Sequence, residues 1–169
     1  MNKDNDEDLA LSRRAAAGDS AAFAMLVEKH ERPLRAFLAR MTGPDLADDI
    51  AQDAFLKAWR SAGQYDGRAR YATWLTRIAW RCRLDQLRRP AAAAQPRDAE
   101  ASAHDGAEVA DLLARLDQRE RAALVLCEGH GWTHAEAATL LAMPLGTLKS
   151  TVARAKDKCR AMWEGGRDG

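Results

Sequence analysis

The sequence predicts an all-α protein built as two small helical domains joined by a flexible linker. Three observations carry that reading. In both halves apolar residues recur at spacings of three and four, and neither half shows the two-residue alternation rich in Val, Ile and Thr that marks strands. The stretch "PAAAAQPRDAEASAHDG", residues 90–106, holds two prolines and seven alanines but no large apolar side chain, which is linker composition. Across 169 residues, 47% apolar and 30% charged residues make an ordinary globular balance. The expected boundaries are a first domain over residues 1–89, the linker over 90–106, a second domain over 107–163 and a tail over 164–169.

The N-terminal "MNKDNDEDLALSRR" is acidic and has no apolar signal-peptide core, and no run approaches the roughly 18 apolar residues of a membrane span. A cytoplasmic protein without membrane insertion is expected. Cys82, Cys127 and Cys159 are odd in number and far apart, which fits reduced thiols and not a disulfide framework. The net charge of +1 hides a strong segregation. Residues 45–53 carry Asp45, Asp48, Asp49 and Asp53 with no base, whereas residues 68–89 carry seven arginines against Asp85 alone. The acidic patch suits a cationic protein face and the basic one a polyanion, so two different partners are implied.

The segment "DLADDIAQDAFLKAW" (45–59) can turn Ala47, Ile50, Ala51, Ala54 and Ala58 inward as a helix, leaving Asp45, Asp48, Asp49, Gln52, Leu56 and Trp59 outward. A solvated acidic face would not ordinarily carry Leu and Trp, so this surface reads as a protein-docking face. The next segment, "YDGRARYATWLTRIAWRCRLDQLRR" (65–89), opens with a basic Gly-containing loop and continues as a helix. One stripe holds Tyr71, Leu75, Ile78 and Cys82, a second holds Trp80, Leu84 and Leu87, and a flank between them holds Trp74, Arg77, Arg81 and Arg88. Cations beside aromatics that can stack on unpaired bases are the ingredients of single-strand binding. For Trp80 core packing is the favoured alternative; for Trp74 stacking and packing stay open.

In the second domain, "GWTHAEAATLLAMPLGTLKSTVARAKDKCRAMW" (131–163) reads as two short helices broken at Ala142, Met143 and Pro144. Thr133 with Glu136 three residues on forms a capping box, and Pro144 in the first turn of the following helix loses no needed N–H. Ala137, Ala138 and Leu141 supply a small inner face. Leu145, Leu148, Val152, Ala155, Cys159 and Met162 form a core stripe on the second helix; opposite lie Gly146, Ser150, Ala153 and Asp157, flanked by Thr147, Lys149 and Arg154. A helix-turn-helix places such a face in the major groove, where small side chains allow close approach and Lys or Arg donates to guanine or phosphate. A solvated helix in a small bundle is the alternative. Cys127, His130 and His134 have metal-like spacing but no fourth ligand nearby, and Cys127 continues the apolar run "AALVLC", so no metal and no cofactor are expected.

Together "DLADDIAQDAFLKAWRSAGQYDGRARYATWLTRIAWRCRLDQLRR" and "GWTHAEAATLLAMPLGTLKSTVARAK" closely resemble the bacterial RNA polymerase sigma factors of the extracytoplasmic-function group, over nearly the whole chain. The resemblance implies a region 2 helical bundle and a region 4 helix-turn-helix. It also implies partners: core RNA polymerase through its β′ clamp and β subunit, promoter DNA and an anti-sigma factor. Carried over by position, Asp48, Asp49, Gln52, Asp53, Leu56 and Trp59 are implied to bind core polymerase. Gln64, Tyr65, Arg68, Arg70, Tyr71, Trp74, Arg77 and Arg81 are implied to bind and melt the −10 element, and Thr147, Lys149, Ser150, Ala153 and Arg154 to read the −35 element.

Some positions depart from the family pattern. Ala142 stands in the turn where relatives commonly carry Gly, so it must avoid a left-handed conformation or bear strain. Thr151 and Ala153 stand where Arg or a larger residue is frequent, so promoter preference does not carry over. No Ser/His/Asp set, Gly-rich phosphate loop or paired carboxylates in an apolar setting is visible, and the expected role is not enzymatic. A ligand-sensing helix-turn-helix regulator is the main alternative, and a helical enzyme or RNA-binding adaptor the third.

Overall fold

The computed structural model describes residues 3–88 and 107–165; the expected linker and the end of the tail lie outside them. The chain divides into two compact units, Met1–Arg97 and Asp98–Gly169, and every described element is a helix or helical turn.

The first unit contains α1 (Lys3–Ala16), α2 (Ser20–Thr42), α3 (Pro44–Arg60), a 3₁₀ turn (Ala62–Gln64) and α4 (Tyr71–Arg88). Asp19 starts α2 by accepting from the Ala22 N–H at 3.0 Å, the usual service of an Asp N-cap. Gly43, at φ 83°, lets α2 stop, and Pro44 begins α3 at once, where its missing N–H costs nothing. On α3 the inward Ala47, Ile50, Ala51, Ala54 and Ala58 are buried as the periodicity requires, and Phe55 joins them. Four alanines on one stripe bring the neighbouring backbones close, and the large residues come from the other helices: Leu26, Leu34, Phe37 and Leu38 from α2, Tyr71 and Leu75 from α4.

Trp80 is core, with the Arg83 guanidinium 4.8 Å from its ring centroid. The second expected stripe of α4 does not continue inward, because Leu84 and Leu87 are exposed. α4 meets the bundle through Tyr71, Leu75, Ala79 and Cys82, a face the Leu84 and Leu87 positions turn away from.

α1 is tied to α2 by a buried carboxylate. Asp8 is 3% exposed; Lys29 Nζ donates to its Oδ1 at 2.8 Å and His30 Nε2 lies 3.0 Å from its Oδ2. Burial alone pushes the Asp8 carboxyl up, but the hydrogen bonds and positive charges of His30 and Lys29 outweigh it and hold its pKa below the ordinary aspartate value.

The second unit contains α5 (Ala107–Ala114), α6 (Gln118–Leu124), a π-helical turn (Val125–Gly129), α7 (His134–Leu140) and α8 (Leu145–Gly165). Arg121 closes α5 by donating to the carbonyls of Leu113, Ala114 and Leu116 at 2.7, 3.0 and 3.3 Å. Asp117 and Glu120 make a capping box at the start of α6, and the same buried Glu120 accepts from Lys158 of α8 at 2.7 and 2.9 Å. Leu148, Val152 and Ala155 of α8 are buried, as are Leu113, Leu126, Trp132, Ala137 and Ala138 of the same unit. The expected stripe holds in its middle and loosens at its ends. Cys159 and Met162 are half-buried, and Leu145, on the first turn of the helix, is 43% exposed.

The Asp8 contacts set the response to acid. Because the folded pKa lies below the unfolded one, the stabilisation is complete above the ordinary aspartate range and is lost as pH falls below about 4. Asp8→Asn should cost about 1–3 kcal/mol at neutral pH, and the gap between variant and native protein should close below that pH. Denaturant titrations of both proteins across the acid range measure it.

Candidate functional surfaces

The acidic surface is built by α3. Asp48, Asp49, Gln52 and Leu56 are exposed, Leu56 by 50%, whereas Asp53 is partly covered and accepts from Gln86 Nε2 at 3.4 Å. Asp48 pairs with Arg35 of α2 at the surface. Trp59 does not stand outward with Leu56. It is half-buried with its ring 4.9 Å from Phe23, because Phe55 and Trp59, one turn apart, both close on that ring. Leu56 edges a groove of about 200 Å³ between α3 and α4, lined also by Asp53, Lys57, Arg60, Cys82, Asp85 and Gln86. The Cys82 thiol at this groove has a raised pKa; burial drives it up, and the neighbouring Lys57 offsets only part of that.

The basic surface begins in the loop after α3. Gln64, Arg68, Arg70 and Arg81 are exposed, and Trp74 and Arg77 are half-buried. Tyr65 and Tyr71 are 5% and 1% exposed, which removes them from the set that can meet an unpaired base in this conformation. They form a cluster with Trp74 instead. Ring centroids are 5.1 Å apart for Tyr65 and Tyr71, 5.4 Å for Tyr65 and Trp74, and 5.3 Å for Tyr71 and Trp74, so Trp74 rests on two tyrosines and keeps part of its own surface open. His30 supports Tyr71 from the far side at 4.9 Å. Burial, reinforced by the charges of Asp8 and Asp66, pushes the Tyr65 hydroxyl up to about 12, so it stays a proton donor.

Nothing in the sequence pattern of α1 assigns it to this surface, yet α1 holds the loop. Asn5 reaches Tyr65 and Gly67, and Ser12 Oγ donates to the Ala62 carbonyl at 3.0 Å. Polar residues on an acidic N-terminal helix look like a solvated face, and only the seven-residue spacing of Asn5 and Ser12, two turns along one side, hints at a shared partner.

The third surface is the N-terminal half of α8. Thr147, Lys149, Ser150, Ala153 and Arg154 are all exposed, with Gly146 beside them. Thr151 is buried and donates to the Thr147 carbonyl at 2.8 Å, which removes it from the outward face. α7 starts on the expected box: Thr133 Oγ1 accepts from the Glu136 N–H at 3.2 Å and Glu136 Oε2 from the Thr133 N–H at 3.0 Å. Pro144 stands just ahead of α8, its carbonyl accepting from the Leu148 N–H at 3.0 Å. Between them Ala142 takes φ 51°, the left-handed conformation that Ala bears at a cost. Cys127 is half-buried in the π-helical turn, and burial, with the charge of Glu128, raises its thiol pKa.

The chain matches the family model for sigma-70 region 2 over residues 26–92 and that for sigma-70 region 4 over residues 106–159. The ECF RNA polymerase sigma factor SigM of Mycobacterium tuberculosis is 37% identical over 161 residues, spanning 88% of this chain and 81% of that protein. RNA polymerase sigma factor NccH of Alcaligenes xylosoxydans xylosoxydans is 35% identical over 176 residues, spanning 92% and 94%. Among solved structures, CnrH in complex with the cytosolic domain of CnrY superposes with a TM-score of 0.71 at 28% identity, covering 94% of this chain and 98% of that one.

The strained turn is open to test. Ala142→Gly should relieve a left-handed cost of about 1–2 kcal/mol against about 0.5–1 kcal/mol of added chain entropy. The melting temperature of the second unit should therefore hold or rise. A clear fall would mean that the turn is set by the Ala142 methyl and not by the backbone.

Proposed function

The chain belongs to the sigma factors of the extracytoplasmic-function group, and from that premise we propose that its three surfaces divide the work of transcription initiation among them. As a sigma factor it binds core RNA polymerase, recognises the −10 and −35 promoter elements and promotes melting. In this division Asp48, Asp49, Gln52, Asp53 and Leu56 of α3 meet the polymerase, with Trp59 supporting the helix from behind. Gln64, Arg68, Arg70, Trp74, Arg77 and Arg81 meet the −10 strand, backed by Tyr65 and Tyr71. Thr147, Lys149, Ser150, Ala153 and Arg154 read the −35 element.

The observation that carries this reading is the exposure of Leu56 amid carboxylates on α3 while every inward residue of that helix is buried. An open apolar side chain ringed by acids suits a basic partner face with an apolar centre. At the second surface arginines supply contacts to phosphates, and Trp74, half open on its tyrosine base, supplies a stacking plane. At the third, side chains no longer than Ser or Thr let α8 sink into the groove while Lys149 and Arg154 reach bases or backbone. The protein makes and breaks no covalent bond in this account; it stabilises the opened strand by binding it. The likeness to CnrH, solved with the cytosolic domain of CnrY, supports an anti-sigma partner that controls the chain. Action beside polymerase supports a cytoplasmic location; no helix among the described residues is long and apolar enough to cross a membrane.

Run-off transcription with core polymerase, with and without the chain, tests the whole assignment: transcripts from a cognate promoter should appear only with it. In the same assay Leu56→Asp should reduce affinity for core by about 1–2 kcal/mol or more without lowering the melting temperature, since half of that side chain is already in water. Unchanged affinity would remove α3 from the interface.

Selection from a randomised −35 library examines the third surface. If Arg154 contacts a base, Arg154→Ala should relax preference at one position by about 1–3 kcal/mol. Uniform weakening with a shallower salt dependence would make it a phosphate contact.

A further inference from the structure

The loop between α3 and α4 is laid along one face of α1. Asn5, Leu9 and Ser12 are spaced four and three apart and so share a side of that helix. Each meets the loop at a defined point. Ser12 Oγ donates to the Ala62 carbonyl at 3.0 Å. A Cβ added to Gly67 would lie 2.9 Å from Leu9 Cδ2, so Leu9 fits against bare backbone there, and Gly67 has φ +76°. Asn5 Nδ2 donates to the Gly67 carbonyl at 2.7 Å, and Asn5 Oδ1 lies 2.7 Å from the Tyr65 hydroxyl, which donates to it. The loop therefore alternates. Tyr65 and Gly67 turn toward α1 and the core, whereas Gln64, Asp66, Arg68 and Arg70 turn to solvent.

We propose that Asn5 is a positioning residue for −10 strand reading, fixing the register in which the loop presents Gln64, Arg68 and Arg70 without touching DNA itself. This rests on the assignment of residues 64–70 to the −10 strand. α1 lies ahead of residue 26, where the match to region 2 begins. One carboxamide supplies one donor and one acceptor, and here each has its own loop partner. Without Asn5 the Tyr65 hydroxyl still has the Ala69 carbonyl at 2.9 Å, and its ring keeps its place against Tyr71 and Trp74. Among the described residues of α1 it is Asn5 that holds the Gly67 carbonyl, and a glycine released from its anchor has wide backbone freedom. Loss of Asn5 should therefore blur the loop while leaving the bundle folded.

The test uses the full chain with core polymerase on two templates, a duplex promoter and the same promoter with its −10 bases mispaired so that the strand is already open. Asn5→Ala should form about three- to tenfold fewer open complexes on the duplex, the scale of one lost hydrogen bond. On the opened template it should discriminate less among single-base −10 substitutions. Affinity for core and melting temperature should stay at native values. Asn5→Asp should behave like Ala, since it keeps the acceptor for Tyr65 but sets an anion against the Gly67 carbonyl. Gln64→Ala and Arg68→Ala, measured alongside, test the underlying assignment. If those two alter −10 binding and Asn5→Ala does not, the positioning role falls and the loop assignment stands. If neither alters it, the loop assignment falls and takes this proposal with it. A loss in Asn5→Ala matched by an equal loss of core affinity or melting temperature also overturns it, because the effect is then one of folding. Should Asn5→Ala fail to fold, Asn5→Asp, which keeps the acceptor for Tyr65 and loses only the donor to Gly67, must show the same direction on both templates.

Discussion

The buried carboxylate of Asp8 underlies the organisation of the first unit. It accepts from Lys29 and sits against His30, and His30 in turn supports Tyr71, on which Tyr65 and Trp74 lean. A charge taken out of water is tolerated only when its hydrogen bonds are fully met, so the arrangement permits one placement of α1 and no sliding. That placement matters outside the core. With α1 fixed at Asp8, Asn5, Leu9 and Ser12 are delivered to the loop, and a segment with little secondary structure of its own acquires a shape from its neighbour. The side chains of Gln64, Arg68 and Arg70, proposed to meet the −10 strand, are thus supported by rigid helices beside the loop.

The second unit reaches a rigid reading surface by a different route. Its recognition face is a helix, which needs no template, and the demand falls on the turn that aims it. Two capping boxes fix where α6 and α7 begin, and Glu120, already committed to the first box, also holds Lys158 of α8. Small residues at Ala137 and Ala138 let α8 approach α7 closely, with Leu148 fully buried between them and the rest of the core. The cost of this geometry appears at Ala142, whose left-handed backbone is held by the bonds around it: Leu141 N to the Ala137 carbonyl at 2.9 Å and Met143 N to the Ala138 carbonyl at 2.9 Å.

How much of this could be read from the chain depended on whether a feature is local. Periodicity located α3, α4 and α8 and their buried faces, and the Thr133–Glu136 box was visible because its two residues are three apart. At Ala142 the sequence leaves avoidance and strain both open, and the backbone takes the strained left-handed conformation. What escaped was contact between segments distant in sequence. Nothing near Trp59 announces Phe23, 36 residues earlier, as 59 − 23 gives. The family resemblance implies −10 roles for Tyr65 and Tyr71, although the helical period already sets Tyr71 on the stripe with Leu75; their burial follows from α1 and His30, neither of which the local pattern contains. Leu84, Leu87 and Leu145 err in the opposite sense, since period alone assigns a stripe to the core even where a helix outruns its neighbours.

The acidic face of α3 raises a question of readiness, since part of its charge is already engaged. Asp48 pairs with Arg35, and Lys57 reaches Asp85 across the groove at 3.3 Å. Both pairs are well exposed, so each stabilises the unbound protein by less than about 1 kcal/mol after screening. On the proposed docking, a cationic partner would therefore displace Arg35 at little cost and regain the Coulomb energy in a surface that excludes water as it forms. Leu56, half open and adjoining the groove, contributes burial that exists only in the complex. The Arg35 guanidinium offsets part of the repulsion among the α3 carboxylates while the chain is free. The apolar centre then decides how tightly it holds once docked.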